Sequence, residues 1–232
     1  MAHSDCQQEQ DILSSWQVNA APWEEAIRER RIASRERITN AAIVHTITEL
    51  KPATLLDIGC GEGWLCRALT GRGIECAGID ATAELIDMAQ RQGGTYRALD
   101  YSALTADQLV DIGLQPVDCA VCNFSLIGKE STESVFANAR HFLKLHGYLV
   151  VQTLHPVAAC GELPYVDGWR EGSWHGFPDS FRQPAPWYFR TLPTWQTLFT
   201  DNGFQLEQMQ EPSAPDADSP ASLILVGRLI QG

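Results

Sequence analysis

The chain has 232 residues, of which 44% are hydrophobic, enough for the buried core of one large domain, and its formal net charge at pH 7 is −12. That charge disfavours nucleic acid as a partner, because the average surface repels phosphate groups. With no apolar run near the roughly 20 residues that span a bilayer, and no apolar secretory signal at its polar start, we expect a cytoplasmic protein without membrane association.

The cysteines are odd in number and scattered through apolar segments, a pattern typical of reduced thiols and not of a disulfide framework. Cys119 and Cys122 form a C-x-x-C pair, but they lie in an apolar run that predicts a strand. Side chains three residues apart on a strand point to opposite faces. We therefore predict no metal site there.

Apolar spacing and glycine or proline breaks predict a regular alternation of strands and helices. In chain order the predicted elements are one or two amphipathic helices in Trp23–Leu50, strand Thr54–Ile58, helix Trp64–Leu69, strand Glu75–Ile79, helix Ala83–Gln90, strand Tyr96–Leu99, helix Ala106–Asp111, strand Val117–Cys122, helix Ser131–Leu145, strand Tyr148–Thr153, helix Thr194–Asp201, strand Phe204–Met209 and strand Ser222–Arg228.

The alternation predicts an α/β fold, a single doubly wound Rossmann-like domain with a mostly parallel sheet and helices on both faces. The last two strands have no helix between them, which predicts an antiparallel pair. Residues 155–191 interrupt the alternation and are rich in Gly, Pro, Trp and Tyr, as binding loops and lids often are. We therefore expect a main domain over residues 51–232 with a substrate or lid insertion at 155–191, and a helical segment over residues 1–50 that covers the cofactor.

Three glycines at alternate positions, Gly59, Gly61 and Gly63, follow the first predicted strand and open a helix. Such a turn allows a ligand to approach the main chain closely. The dinucleotide fingerprint requires glycine at the next position, where Trp64 stands, and this counts against NAD or FAD. Asp57 would repel a pyrophosphate but suits a ligand that carries an ammonium and a sulfonium group. The residues therefore favour S-adenosylmethionine.

Two later acidic positions extend the pattern. Asp80 ends the second predicted strand, where a carboxylate can accept hydrogen bonds from both ribose hydroxyls. Asp100 and Tyr101 follow the third strand, where a carboxylate can accept from an adenine amino group.

With these motifs the chain resembles the class I S-adenosylmethionine-dependent methyltransferases from about residue 38 to residue 228. The resemblance rests on four segments, Leu55-Leu56-Asp57-Ile58-Gly59-Cys60-Gly61-Glu62-Gly63, Gly78-Ile79-Asp80, Leu99-Asp100-Tyr101 and Val117-Asp118-Cys119-Ala120-Val121-Cys122-Asn123. It implies a seven-stranded sheet whose last strand is antiparallel, and a pocket that binds S-adenosylmethionine and releases S-adenosylhomocysteine.

The resemblance also implies roles for individual residues. Asp57 and the three glycines would line the methionine part, Asp80 the ribose, and Asp100 with Tyr101 the adenine. The full predicted cofactor set is Arg35, Asp57, Gly59, Cys60, Gly61, Gly63, Trp64, Asp80, Ala81, Asp100, Tyr101, Asn123 and Phe124. Members that methylate exocyclic base amines commonly carry Asn/Asp-Pro-Pro-aromatic where this chain has Asn123-Phe124-Ser125-Leu126, which counts against that substrate class.

The remaining candidates have two interpretations each. The N-terminal arginines are typical of a solvated, ion-paired helix face, whereas Arg35 is the one we expect at the cofactor carboxylate, as in related enzymes. His155 follows the fifth strand and is either a general base or a structural cap of that strand, and methyl transfer itself needs little beyond positioning. The predicted substrate-binding residues are Trp169, Arg170, Trp187, Tyr188 and Arg190.

The leading hypothesis is an enzyme that transfers a methyl group to O, N, S or C of a small-molecule acceptor. A cofactor-binding protein without catalysis would share the pocket and lack turnover. A nicotinamide-dependent oxidoreductase is disfavoured by Trp64 and Asp57. The sequence selects neither the acceptor atom nor an oligomeric state.

Overall fold

The computed structural model describes residues 4–101, 104–111, 115–217 and 219–230. Its helices are α1 Asp5–Arg28, a π-helix Arg35–Thr39, α2 Asn40–Leu50, α3 Trp64–Thr70, α4 Ala83–Arg91, α5 Ala106–Asp111, α6 Glu130–Ala137, α7 Ala139–Phe142, α8 Pro156–Cys160 and α9 Leu192–Asp201. Its strands are β1 Thr54–Ile58, β2 Glu75–Asp80, β3 Thr95–Ala98, β4 Val117–Asn123, β5 Leu143–Thr153, β6 Gly168–Arg170, β7 Trp187–Phe189, β8 Phe204–Gln210 and β9 Leu223–Leu229.

A seven-stranded sheet in the order β3-β2-β1-β4-β5-β9-β8 forms the centre of the fold. The strands from β3 to β5 pair in parallel, whereas β9 pairs antiparallel with both β5 and β8. The predicted sheet and its antiparallel last strand are confirmed. Because the strand order reverses on either side of β1, a crevice opens at the carboxyl ends of β1 and β4, where ligands bind in this class of sheet.

Both faces of the sheet are buried, in two separate hydrophobic cores. Leu56, Cys122 and Leu225 belong to the core on one face. Leu55 and Cys119 belong to the core on the other. The two cysteines of the C-x-x-C pair therefore point to opposite faces, as the period of a strand requires. No helix within the described ranges is both long and apolar enough to cross a membrane.

Two predicted boundaries are wrong. The helix expected over Ser131–Leu145 ends earlier, and β5 already begins at Leu143, because that residue pairs with Val117 of β4. The first helix begins at Asp5, well before Trp23, with the Ser4 hydroxyl accepting a hydrogen bond from the Gln7 amide at its start. Its buried face contains small and polar residues, so the apolar spacing that signals a helix is weak there.

The insertion at 155–191 has short regular elements of its own. It contains helix α8 and the two-stranded hairpin of β6 and β7, in which Trp169 pairs with Tyr188. Three-residue strands are too short to show an alternating pattern in sequence.

Helix α1 is attached to the main domain through Glu9. The Glu9 carboxylate accepts hydrogen bonds from the backbone amides of Lys129, Glu130 and Ser131 at 2.7, 2.8 and 3.3 Å, and from the Ser131 hydroxyl at 2.7 Å. These are the free amides at the start of α6, where a negative charge is favourable. Asp5, one turn earlier, pairs with Lys129 at 2.6 Å. The first two turns of α1 are thus anchored by charge and not by apolar burial.

Replacing Glu9 with Ala should loosen α1 without unfolding the sheet, because it leaves the α6 amides without their acceptor. We expect local opening of α1 to become easier by about 1 to 2 kcal/mol, measured as faster amide hydrogen exchange in residues 5–28. Gln10→Ala on the exposed side of the same helix is the control. Unchanged exchange in Glu9→Ala would contradict this account of how α1 is held.

Candidate active site

A pocket lies at the carboxyl ends of β1, β2 and β4, where most of the predicted cofactor residues converge. The predicted residues that line it are Arg35, Asp57, Gly59, Cys60, Gly61, Trp64, Asp80, Ala81, Tyr101, Asn123 and Phe124. Gly63 and Asp100 are not among the lining residues. The pocket is also lined by residues outside the predicted cofactor set, namely Ile12, Leu13, Trp16, Trp23, Glu62, Thr82, Leu85 and Ser125.

The glycines of the turn after β1 serve different purposes. Gly63 has φ +81°, and a Cβ there would lie 2.6 Å from the Tyr96 ring, so internal packing requires glycine. Gly61 has φ +57°, and a Cβ there would meet a single neighbour, the Trp23 indole nitrogen at 3.4 Å. The backbone at Gly61 therefore faces the pocket, and this is the glycine whose missing side chain leaves room for a ligand.

Asp80, the last residue of β2, has both carboxylate oxygens fixed by backbone. One accepts from the Gly61 amide at 2.9 Å and the other from the Thr82 amide at 2.8 Å. Burial raises the pKa of Asp80, and these amide hydrogen bonds oppose that effect. The carboxylate is thus held rigidly at the pocket wall.

Asp57 on β1 is a buried acid, and only one of its two carboxylate oxygens accepts a hydrogen bond from a described residue. Its Oδ2 accepts from the Cys66 thiol at 3.7 Å, whereas Oδ1 has no hydrogen-bond partner among the described residues. Burial raises the pKa of Asp57 to about 8, and the nearby Asp80 and Glu62 act in the same direction. A cationic group in the pocket would satisfy Oδ1 and stabilise the charged carboxylate.

Arg35 provides the opposite charge. It begins the π-helix, a widened turn that is frequent at functional sites, and its guanidinium lies between the rings of Trp23 at 5.2 Å and Trp64 at 4.8 Å. Only 7% of the residue is exposed, and Nη2 finds no partner within the described ranges. Burial lowers the pKa of Arg35 to about 10, so it remains charged at neutral pH. A buried cation with a free donor is a site for an anion.

The loop after β4 closes the far side of the pocket. The Ser125 hydroxyl donates to the Ile58 carbonyl at 2.6 Å, and the Tyr101 hydroxyl donates to the Ser125 carbonyl at 2.6 Å. Phe124 has φ +55°, an unusual conformation for a bulky residue, and its amide donates to the Gln152 carbonyl at 2.7 Å. These bonds fix the loop to β1 and β5. Asn123 lines the pocket, and its Oδ1 is buried without a partner in the described structure.

His155 lies outside this pocket. It is 6% exposed, its Nε2 is 2.8 Å from a Glu211 carboxylate oxygen, and it directly precedes α8. This placement favours the structural one of its two interpretations. A general-base role stays a prediction.

The predicted substrate-binding residues come together with one another, but not at the pocket. The Trp169 indole donates to Asp5 at 2.9 Å, and its ring packs edge-on against Tyr188. Arg190 donates to the carbonyls of Gly128 and Lys129, both at 2.8 Å, and stacks on Tyr188.

Arg170 and Trp187 are in the same hairpin. Arg170 donates to the Pro164 carbonyl at 2.7 Å, and both side chains contact Phe189. The polar groups of Trp169, Arg170 and Arg190 therefore already bind protein atoms. Contact of these residues with an acceptor stays a prediction.

Helix α1 and the insertion pack against each other, and we call the two together the cover. Of these two segments, only α1 lines the pocket, whereas none of residues 155–191 is among the lining residues. The Asn19 side chain pairs with the backbone of Arg182, donating to its carbonyl at 2.7 Å and accepting from its amide at 2.8 Å. Trp23 stacks on Phe177 of the insertion. Trp16 meets Trp23 and Trp174 edge-on, with ring centroids 5.1 and 5.9 Å away.

Comparison with known proteins supplies independent evidence. A model of a family described as methyltransferase domain matches residues 27–209. An uncharacterized protein from Haemophilus influenzae is 24% identical over 214 residues, covering 82% of each chain. A ubiquinone biosynthesis O-methyltransferase from Xylella fastidiosa is 30% identical over 118 residues, 50% of this chain and 48% of that protein. The chain thus matches about half the length of that relative.

Solved structures share the fold. A 1,6-didemethyltoxoflavin-N1-methyltransferase from Burkholderia thailandensis, with bound 1,6-didemethyltoxoflavin and S-adenosylhomocysteine, has a TM-score of 0.68 at 18% identity, covering 100% of this chain and 92% of that one. An S-adenosylmethionine-dependent methyltransferase from Mesorhizobium loti has a TM-score of 0.59 at 22% identity, covering 79% of this chain and 96% of that one. With the family match over most of its length, the chain belongs to the methyltransferase domain family, and its resemblance to the class I S-adenosylmethionine-dependent methyltransferases is confirmed.

Proposed function

We propose that this protein transfers a methyl group from S-adenosylmethionine to a small-molecule acceptor. The observation that carries the proposal is the pair of buried ionisable groups in one pocket, Arg35 and Asp57, whose atoms Nη2 and Oδ1 have no hydrogen-bond partner among the described residues. Buried polar atoms without a partner are costly, so a ligand that satisfies them binds favourably.

The residues fit the parts of S-adenosylmethionine. Arg35 would bind the carboxylate of its amino-acid end, and Asp57 the ammonium. Asp80 would accept hydrogen bonds from the two ribose hydroxyls. Tyr101 lines the neighbouring part of the pocket, where we place the adenine. The sulfonium would supply an electrophilic methyl group, and the protein would bind, orient and shield it.

Shielding is the role we propose for the cover formed by α1 and residues 155–191. Helix α1 contributes Ile12, Leu13 and Trp16 to the pocket lining. Their apolar side chains would exclude water from the sulfonium. A cover in this role would open for exchange of S-adenosylmethionine and S-adenosylhomocysteine.

A small-molecule acceptor is supported by the relatives, an O-methyltransferase of ubiquinone biosynthesis and an N1-methyltransferase of 1,6-didemethyltoxoflavin. Their names disagree on the acceptor atom, so the proposal does not select O or N. The net charge of −12 supports a partner other than nucleic acid. All seven cysteines are free thiols, which suits our expectation of the cytoplasm.

Isothermal titration of the purified protein with S-adenosylhomocysteine, and separately with NAD, tests the proposal. We expect binding of the first and none of the second. Binding of NAD alone would support an oxidoreductase. Binding of S-adenosylhomocysteine without methyl transfer in a broad acceptor screen with S-adenosylmethionine would instead support a cofactor-binding protein without catalysis.

Asp80→Ala should weaken S-adenosylhomocysteine binding by about 1.5 to 3 kcal/mol, because a charged acceptor of two ribose hydroxyls is lost. Calorimetry measures the change. Asp87→Ala, which removes the same charge from the exposed face of α4, is the control and should bind normally. Equal affinities of the two variants would show that the ribose lies elsewhere.

Gly61→Val should abolish binding, because the side chain both enters the pocket and resists φ +57°. Gly73→Val is matched for backbone strain, since Gly73 has φ +85° and a Cβ there would meet nothing within 4 Å. We expect both variants to lose stability in urea unfolding and only Gly61→Val to lose the ligand. Normal binding by Gly61→Val would refute the placement of the ligand over the turn.

Affinity for S-adenosylhomocysteine should rise with pH below the pKa of Asp57, which is about 8 in the free protein. An ammonium ligand favours the charged carboxylate, so binding releases a proton, and the dissociation constant should fall by up to about tenfold per pH unit from about pH 6 to about pH 7.5. Asp57→Asn should bind more weakly and lose this dependence. A wild-type affinity that stays flat over the same range would mean that Asp57 does not contact the ammonium.

A further inference from the structure

The indole of Trp23 lies at the glycine-rich turn after β1. Its nitrogen lies 3.4 Å from the position of a Cβ on Gly61, directly over the glycine-rich turn, and Trp23 lines the pocket. Within the described residues this N–H has no hydrogen-bond partner. Two of the three indoles of the insertion differ from it, because Trp174 donates to the Arg182 carbonyl at 2.8 Å and Trp169 to Asp5 at 2.9 Å.

Three neighbouring side chains hold the ring of Trp23 in place. Phe177 stacks on it with ring centroids 6.4 Å apart, and Trp16 meets it edge-on at 5.1 Å. The Arg35 guanidinium lies 5.2 Å from its centroid. Trp23 therefore lies next to the insertion, the π-helix and the glycine turn at once. Its indole N–H and the unpartnered Nη2 of Arg35 belong to residues that line the same pocket.

We propose that Trp23 and Arg35 together bind the carboxylate of the cofactor, so that the cover closes on the amino-acid end of the ligand. The proposal rests on the proposed function and adds a cofactor-binding residue contributed by the cover. A carboxylate has two oxygens, and a guanidinium N–H and an indole N–H side by side can each serve one. Because Trp23 is part of α1, the same hydrogen bond holds the cover shut.

The geometry also explains why the carboxylate goes to this side. Asp57 and Glu62 lie at the base of the turn, and Glu62 is buried and paired with Arg67 at 3.1 Å. An amino-acid zwitterion would place its ammonium toward Asp57 and its carboxylate toward Arg35 and Trp23. The indole adds a donor there without adding a charge.

The test compares S-adenosylhomocysteine with 5′-methylthioadenosine, which has the adenosine and sulfur but no amino-acid end. Trp23→Phe keeps an aromatic ring against Arg35 and Phe177 and removes the N–H. We expect it to weaken S-adenosylhomocysteine binding about three- to tenfold and to change 5′-methylthioadenosine binding less than about twofold, both measured by calorimetry. Arg35→Gln should show the same selectivity with a larger loss.

Trp174→Phe is the matched control, because it also removes one indole N–H from the aromatic cluster of the cover. It should leave the ratio of the two affinities unchanged. If Trp23→Phe weakens both ligands equally, or neither, Trp23 has only a packing role and the inference fails. If the wild-type protein binds neither ligand, the proposed function fails instead.

Discussion

The site depends on the burial of two ionisable groups whose hydrogen-bonding capacity the described residues do not fully satisfy. Arg35 and Asp57 are nearly inaccessible to water, yet each keeps a polar atom that no described residue satisfies. The raised pKa of Asp57 and the lowered pKa of Arg35 express the same cost, since burial disfavours the charged form of each. A zwitterionic ligand would remove both costs at once.

The surrounding structure keeps these groups in place. Tyr96 of β3 fills a space whose walls are glycines, because a Cβ on Gly63, Gly78 or Gly94 would come within 2.6 to 2.8 Å of its ring. Its hydroxyl donates to the Gly63 carbonyl at 3.2 Å. The turn that presents Gly61 is therefore set by packing beneath it and by the Asp80 carboxylate beside it. Because the turn is rigid, its backbone can bind a ligand with little loss of conformational entropy.

Interactions of another kind hold the cover in place. Its α1 helix is anchored at one end by the Glu9 carboxylate on the α6 amides, and along its length by Asn19 and an aromatic cluster shared with the insertion. A segment held by polar contacts and a small hydrophobic cluster opens more readily than the core of a sheet. In the proposed function, this division would combine a fixed floor under the cofactor with a cover that opens to release the product.

Local sequence patterns were sufficient to predict the alternation of strands and helices, the sheet with its antiparallel last strand, and the acids and glycines at the strand ends. These follow from local periodicity and from the rule that parallel strands end at one edge of a sheet. The remaining features became visible in the folded structure. It placed Trp23 and Ile12 over the pocket, gave Arg35 its aromatic neighbours, and set His155 and Arg190 apart from the pocket. Such contacts join residues far apart in the chain, and their geometry depends on packing between elements that no local pattern encodes.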